Sequence, residues 1–276
     1  MRTGQVSQTA LKVAATMVTL AQQPRWHRKL PADLPELSER LILAAGEPLY
    51  SPTLMRITKR RWAVNFSKLA EFAQPGIFYG LGARKIFMNE KVLAALAAGA
   101  TQVLVIGAGF DTLCLRLAQH HPEINFFEID HPDTARAKRR GVEREGCPCN
   151  LQLISADLAT VSLDQVLSET QQWNSQATTA AVAEGLLYYL PATAVRELFK
   201  HLHGTTGADS QVAFSHIVRF NHLRLARVAL DIAGEPWLSA ASVTELPRYL
   251  GPGWKVIATD AGRGRDLEGF AVVQKA

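Results

Sequence analysis

The chain has 276 residues, 47% apolar and 20% charged, with 30 Lys and Arg against 25 Asp and Glu. That is enough length and apolar content to bury one large core, which excludes a disordered tail, a collagen repeat and a small disulfide scaffold. Three cysteines, Cys114, Cys147 and Cys149, cannot all pair within the chain and point to a reducing, cytoplasmic setting; the net charge of +5 is spread along the sequence, as in Lys59-Arg60-Arg61 and Lys138-Arg139-Arg140, which read as solvated helix faces rather than a nucleic-acid stripe.

Residues 1–100 read as helices punctuated by Pro24, Pro31, Pro35, Pro48, Pro52 and Pro75, with no alternating run that would make a strand. This predicts a helical N-terminal cap. Val13 to Ala21 has the outline of a signal peptide, but Thr16 and Thr19 dilute it and no small-residue cleavage site follows, so an amphipathic helix is expected. Val92 to Phe110 is uncharged and nearly long enough to cross a bilayer. Gly99 instead reads as the stop of a helix, Lys91 to Ala98, and Val103 to Ile106 as a buried strand, so no membrane partner is expected.

From residue 101 the pattern changes. Gln102–Gly109, Ile124–Asp130, Leu151–Asp157, Thr179–Glu184 and Gln211–Ile217 read as strands. Helical stretches lie between them, near Thr112–His120, Asp133–Glu145, Leu163–Trp173 and Ala192–His203, which is the alternation of a parallel, doubly wound α/β sheet. Residues 101–276 are therefore expected to form a Rossmann-like domain with a helical insertion near 218–250. A terminal hairpin is expected from Lys255–Thr259 and Phe270–Gln274 across the turn Ala261-Gly262-Arg263-Gly264.

In such a sheet ligands bind at the carboxyl ends of the strands. The first strand runs into Gly107-Ala108-Gly109, where glycines let the backbone turn sharply and approach a ligand. The second ends in Asp130, placed to accept hydrogen bonds from ribose hydroxyls. A dinucleotide fingerprint wants a small residue where Thr112 stands, and Asp111 would repel a pyrophosphate while favouring a cationic amino group or sulfonium. An adenosyl cofactor with an amino-acid tail therefore fits better than NAD, although Asp111 can equally serve as the N-cap of the following helix. Asp157, with Leu158, ends the third strand, where it could take an adenine amine while Leu158 covers the ring. The fourth delivers Glu184 to the same rim, with Gly185 behind it. Tyr188 and Tyr189 read as packing at a helix start. His131, His216 and His222 are candidate bases by location, but helix-start and strand-end roles outweigh catalysis for them, and no catalytic residue is assigned. Cys147-Pro148-Cys149 lacks zinc-site spacing, so no metal is expected.

These residues resemble the leucine carboxyl methyltransferase family, including its bacterial S-adenosylmethionine-dependent O-methyltransferases. The motifs that carry the likeness are Ala83-Arg84, Val105 through Thr112, Phe127-Glu128-Ile129-Asp130-His131-Pro132 with Lys138 following, Asp157-Leu158, and Glu184 through Pro191. The opening Ser7-Gln8-Thr9-Ala10 also looks like family N-termini. The resemblance implies a class I methyltransferase fold with a mostly parallel seven-stranded sheet. It also implies that Arg84 pairs with the carboxylate of the cofactor's methionine moiety, Gly107 lies against its backbone, Asp130 holds the ribose, Asp157 and Leu158 the adenine, and Glu184 the amino group. Many members carry an arginine and an aspartate where this chain has Leu113 and Asn89, which bears on the acceptor side and on local salt bridges.

The expected reaction is transfer of the methyl group of S-adenosylmethionine to a carboxylate or hydroxyl of a small molecule, leaving S-adenosylhomocysteine. The protein would hold the reacting atoms in line and exclude water. A carboxylate acceptor, already ionised, needs no base. The N-terminal helices and the insertion, with Trp237 and Trp254 nearby, are expected to cover the acceptor. The rival readings are an NAD-dependent oxidoreductase and a non-catalytic adenosyl-cofactor-binding module.

Overall fold

In the computed structural model, which describes residues 6–73, 76, 78–218, 237–260 and 268–276, alternation along the first strand decides which side chain enters which core. Strand β1 (Gln102–Ile106) sends Val103 and Val105 into one apolar cluster and Leu104 and Ile106 into another on the opposite face. The same split runs through β2 (Asn125–Asp130), where Phe126 joins the first cluster and Phe127 and Ile129 the second. Both faces are covered, so the inner strands read as continuous apolar runs.

The other strands are β3 (Leu151–Ser155), β4 (Thr179–Ala183), β5 (Gln211–Ile217), β6 (Trp254–Asp260) and β7 (Glu268–Lys275). They form one seven-stranded sheet in the order β3-β2-β1-β4-β5-β7-β6, parallel except for β7, which runs antiparallel to β5 and to β6. The expected hairpin is present, with a register shift between Val256 and Ala258. Its turn, Ala261 to Gly264, lies outside the described residues, as do His222 and most of the expected insertion; of the latter, the short helix Leu246–Leu250 is described. Three expected strands end earlier than their motifs. Gly107, Asp157 and Glu184 therefore sit in the turns beyond β1, β3 and β4, where chains leave the sheet.

Before the sheet come α1 (Gln8–Leu20), α2 (Pro24–His27), α3 (Leu34–Ala45), α4 (Pro52–Thr58), α5 (Arg61–Ala73) and α6 (Tyr79–Ala97). Pro24, Pro35 and Pro52 stand in the first turns of α2, α3 and α4, where their missing N–H costs no helical bond. Between and after the strands run α7 (Leu113–Ala118), α8 (Pro132–Arg144), α9 (Leu163–Ser168) and α10 (Ala192–Thr205).

Two local expectations change. Helix α1 is buried at every position from Ala14 to Leu20 rather than on one face, because it is packed among α3, α6 and the sheet; the Thr16 and Thr19 hydroxyls are absorbed by donating to the carbonyls of Lys12 and Ala15. Lys138 is likewise not on a solvated face. It is buried and pairs with Glu128 of β2 at 2.5 Å, while Arg139 donates to the Leu153 carbonyl and Arg140 to that of Ala45. Among the described residues no helix is long and apolar enough to cross a membrane.

Candidate functional site

The turn after β1 is built by positive φ. Gly107 (φ +67°) and Gly109 (φ +49°) fold the chain back so that the Gly107 and Ala108 amides donate to the Ile129 carbonyl at 2.8 and 3.2 Å. At the end of β2, Asp130 Oδ2 accepts from the Gly109 amide at 2.5 Å and Oδ1 from the His131 amide at 2.7 Å. Each carboxylate oxygen keeps further acceptor capacity. Burial raises the Asp130 carboxyl above its ordinary value, against the opposing pull of those two amides.

The turn is the floor of a cavity of about 560 Å³, a size that suits a small organic ligand. Leu186 lies against Gly107, and Ala10 of α1 so close to Gly109 that a Cβ there would sit 2.9 Å from the Ala10 methyl. Ala10, Val13 and Met17 make α1 one wall, while Leu81, Arg84 and Lys85 line the cavity from α6.

Charge in this cavity is organised around two adjacent cations of α6. Arg84 is 4% exposed; its Nε donates to Glu184 Oε1 at 2.9 Å, and its Nη1 to the Tyr188 hydroxyl at 3.2 Å and to Glu268 at 2.7 and 3.0 Å. Lys85 bridges Asp111 at 2.7 Å and Glu184 at 2.8 Å. Burial works against both cations, yet Glu268, Tyr188 and Glu184 hold Arg84 well above its ordinary value, and Asp111 with Glu184 raise Lys85. Burial likewise opposes the charge of Asp111, but Lys85, Lys138 and the Leu113 amide draw its carboxyl well below the carboxylate range. Burial, with Glu268 next, pushes the Tyr188 phenol well up, so it stays protonated.

Two polar atoms in this network are unspent. Glu184 Oε2 is buried with no hydrogen-bond partner among the described residues. Arg84 Nη2 likewise makes no hydrogen bond among them, Nε and Nη1 being the nitrogens engaged. An unpaired carboxylate oxygen and an unpaired guanidinium nitrogen, both on cavity-lining side chains, have the chemistry that suits an ammonium and a carboxylate.

The structure therefore brings together Arg84, Gly107, Gly109, Asp111, Asp130 and Glu184 around one cavity. Asp111 is not the N-cap of α7, a place that Thr112 takes; it stands one residue before the cap and accepts from the Leu113 amide at 2.8 Å, and its charge is met by Lys85 rather than left for a ligand. Asp157 and Leu158 are not among the residues that line this cavity. Asp157 turns back to accept from the Ala159 amide, and Leu158 packs on the apolar cluster that contains Ile129 and Leu163. Asn89, where many family members carry aspartate, accepts from Arg116 at 2.9 Å.

The histidines take structural places. His131 caps α8, its Nδ1 accepting from the Asp133 amide at 3.4 Å. His216 is buried in β5 and donates from Nδ1 to the Ala241 carbonyl at 2.8 Å, away from the cavity. Cys147 and Cys149 are exposed free thiols. Trp237 and Leu238 line the cavity, whereas Trp254 packs on Phe199. Sequence reading missed Lys85 and Glu268. Lys85 next to Arg84 looks like an ordinary second helix cation, and Glu268 becomes visible only once β7 is laid beside β5.

A model of the family described as leucine carboxyl methyltransferase matches residues 10–203. A protein of Mycobacteroides abscessus with the provisional name S-adenosyl-L-methionine-dependent methyltransferase is 31% identical over 211 residues, 75% of this chain and 62% of that protein. A Mycobacterium tuberculosis protein of the same provisional name is 37% identical over 135 residues, 48% of this chain and 43% of its own. The chain thus spans less than two thirds of the length of these relatives. Among solved structures, a provisionally named methyltransferase from Thermobifida fusca YX superposes with a TM-score of 0.59 at 17% identity, covering 91% of this chain and 97% of the other. The mitomycin 7-O-methyltransferase MmcR gives 0.51 at 13% identity, covering 97% and 73%. These two likenesses show the fold, which is that of the class I methyltransferases.

Proposed function

The chain belongs to the leucine carboxyl methyltransferase family, and from this premise we propose that it binds S-adenosylmethionine in the cavity above the glycine turn and transfers its methyl group to an oxygen, a carboxylate or hydroxyl, of a small molecule. The observation that carries the reading is the pair of Glu184 Oε2, buried with no partner, and Arg84 Nη2, left over when Nε and Nη1 are engaged, on side chains of the same cavity that Asp130 lines. The residues present fit this cofactor. Glu184 would accept from its ammonium, Arg84 would donate to its carboxylate, Asp130 would accept from its ribose hydroxyls, and the Gly107 backbone has no Cβ to block approach. When bound, S-adenosylmethionine supplies an activated methyl group.

The protein's own contribution is placement and exclusion. Helix α1 and Leu186 close over the turn, and Trp237 and Leu238 complete the wall, so that water is kept from the reacting oxygen. The described lining carries no histidine, which favours an acceptor that arrives ionised, a carboxylate, over a hydroxyl that needs a base. In this reading residues 1–100 act as a cap and residues 101–276 as the cofactor-binding part.

Calorimetric titration with S-adenosylhomocysteine, S-adenosylmethionine and NAD tests it. Binding of the two adenosyl compounds and not of NAD is the expected result; binding of NAD alone would overturn it and return the chain to the oxidoreductase reading. Methyl transfer to a panel of carboxylic acids and alcohols then separates an enzyme from a binding module.

A further inference from the structure

Glu268 lies outside the segment matched by the family model, residues 10–203, and does not line the cavity, yet it grips Arg84, a buried cation of the cavity's lining. The sheet explains how it arrives there. Strand β7 is antiparallel, so its first residue, Glu268, pairs with Ile217, the last residue of β5, at the rim where the parallel strands end.

A guanidinium has five N–H bonds. In Arg84, Nε donates to Glu184, and Nη1 donates to Tyr188 and, with contacts to both carboxylate oxygens, to Glu268. The two hydrogens of Nη2 remain. Glu184 meanwhile uses Oε1 for both Arg84 and Lys85 and leaves Oε2 bare. Arg84 and Glu184 therefore share one hydrogen bond rather than the two of a bidentate pair, which is the arrangement arginine and carboxylate favour. Such a pair would consume Nη2 and Oε2 together.

We infer that Glu268 is a positioning residue that prevents this collapse: it holds Nη1, fixes the plane of the Arg84 guanidinium, and so keeps Nη2 and Glu184 Oε2 free for the carboxylate and ammonium of an amino-acid-tailed adenosyl ligand. Gly185 supports the same geometry, since a Cβ there would lie 3.3 Å from both Nη1 and Nη2. The inference rests on the cofactor reading above and adds to it a residue that acts only through Arg84.

The test compares two ligands that differ in the tail. S-adenosylhomocysteine carries the amino acid and 5′-methylthioadenosine lacks it. Wild type, Glu268→Ala and Glu268→Gln are titrated with both by calorimetry, with circular dichroism to establish folding. In Glu268→Ala the affinity for S-adenosylhomocysteine should fall by about tenfold or more while that for 5′-methylthioadenosine changes by less than about twofold. Glu268→Gln keeps the size and one acceptor and should fall between; if the alanine variant does not fold, it carries the comparison alone. Equal losses for both ligands, or no loss for either, would overturn the positioning role while leaving the cofactor reading intact. A wild-type protein that binds neither ligand overturns the cofactor reading first, and this inference with it.

Discussion

Asp130 and Gly109 are joined by a hydrogen bond of 2.5 Å from the glycine amide to Oδ2, so the carboxylate that should hold a ribose also holds the turn beneath it. The two functions share one side chain because β2 pairs in register with β1, and both strands end at the same rim.

Replacing Asp130 by Asn therefore does two things. One carboxylate oxygen becomes an NH₂ that must face the amide of Gly109 or of His131, donor against donor. Stability should fall by about 1–3 kcal/mol, and affinity for S-adenosylhomocysteine by about ten- to a hundredfold. Because burial raises the Asp130 carboxyl, the ionised form that accepts hydrogen bonds is lost on acidification at a higher pH than for an ordinary aspartate. Wild-type affinity should decline with falling pH from above the usual carboxylate range, and the asparagine variant should lack that decline. A folded variant with unchanged affinity would sink the ribose assignment.

Lys85 neutralises two buried carboxylates at once, Asp111 and Glu184. Lys85→Met fills similar space with no charge; Glu184 keeps Arg84, but Asp111 loses its one ion-pair partner in this buried network, a change expected to cost about 3–5 kcal/mol. The cost should depend on pH with a definite sign. Burial opposes the Asp111 charge, but Lys85 chiefly draws its carboxyl below the unfolded value, so its stabilisation is present above about pH 4 and is lost as pH falls toward the native value. Urea unfolding of the two proteins should thus show a gap that narrows below about pH 4. A gap that stays constant through that range would remove Asp111 from the explanation.

What could be read from the sequence followed local pattern. The Gly107–Gly109 turn, Asp130 at the end of β2 and Glu184 just beyond β4 are each announced by a short apolar run that stops at a glycine or an acid. Arg84 came from family resemblance, whereas Asp157 and Leu158 were read from the end of the third strand, and the structure gives them different surroundings. Arg84 sits on a long rigid helix that the core fixes, whereas Asp157 sits in a free turn, where a nearby amide satisfies it locally. Lys85, Glu268 and the burial of Lys138 were not legible, because each depends on a partner 10 or more residues away or on the antiparallel placement of β7; Lys138 is separated from Glu128 by 10 residues, Lys85 from Asp111 by 26 and Arg84 from Glu268 by 184.

His216 supplies a prediction of separation. Burial pushes its imidazole below the ordinary value, and its Nδ1–H is committed to the Ala241 carbonyl while Nε2 has no partner among the described residues. The folded state then binds fewer protons than the unfolded state just below the ordinary histidine pKa. Stability is fully present above about pH 6.5 and falls as pH drops toward the lowered value. His216→Leu should abolish that slope in thermal unfolding measured from pH 7.5 to 5, taken as about the range of histidine titration. Affinity for S-adenosylhomocysteine should stay within about twofold of wild type. A large loss of affinity instead would make His216 part of the site.

The contact between Gly109 and Ala10 ties the N-terminal helix to the glycine turn, and a double-mutant cycle can weigh it. Gly109→Ala carries two penalties. Its φ of +49° is left-handed, which costs an L-residue roughly 1–2 kcal/mol. Its new methyl would also lie 2.9 Å from the Ala10 methyl, so that α1 must move outward. Ala10→Gly removes the obstructing methyl, at about 1 kcal/mol for a glycine in a helix. If the contact is what seats α1, the double variant should be more stable than the sum of the single losses by about 0.5–3 kcal/mol, while the backbone penalty at Gly109 persists. Affinity should follow the same pattern, because α1 is a wall of the cavity: Gly109→Ala weakens S-adenosylhomocysteine binding, and adding Ala10→Gly recovers part of it. Strict additivity in both stability and affinity would mean that α1 closes the cavity through its other contacts with α3 and α6, and that Gly109 is required for the backbone turn alone.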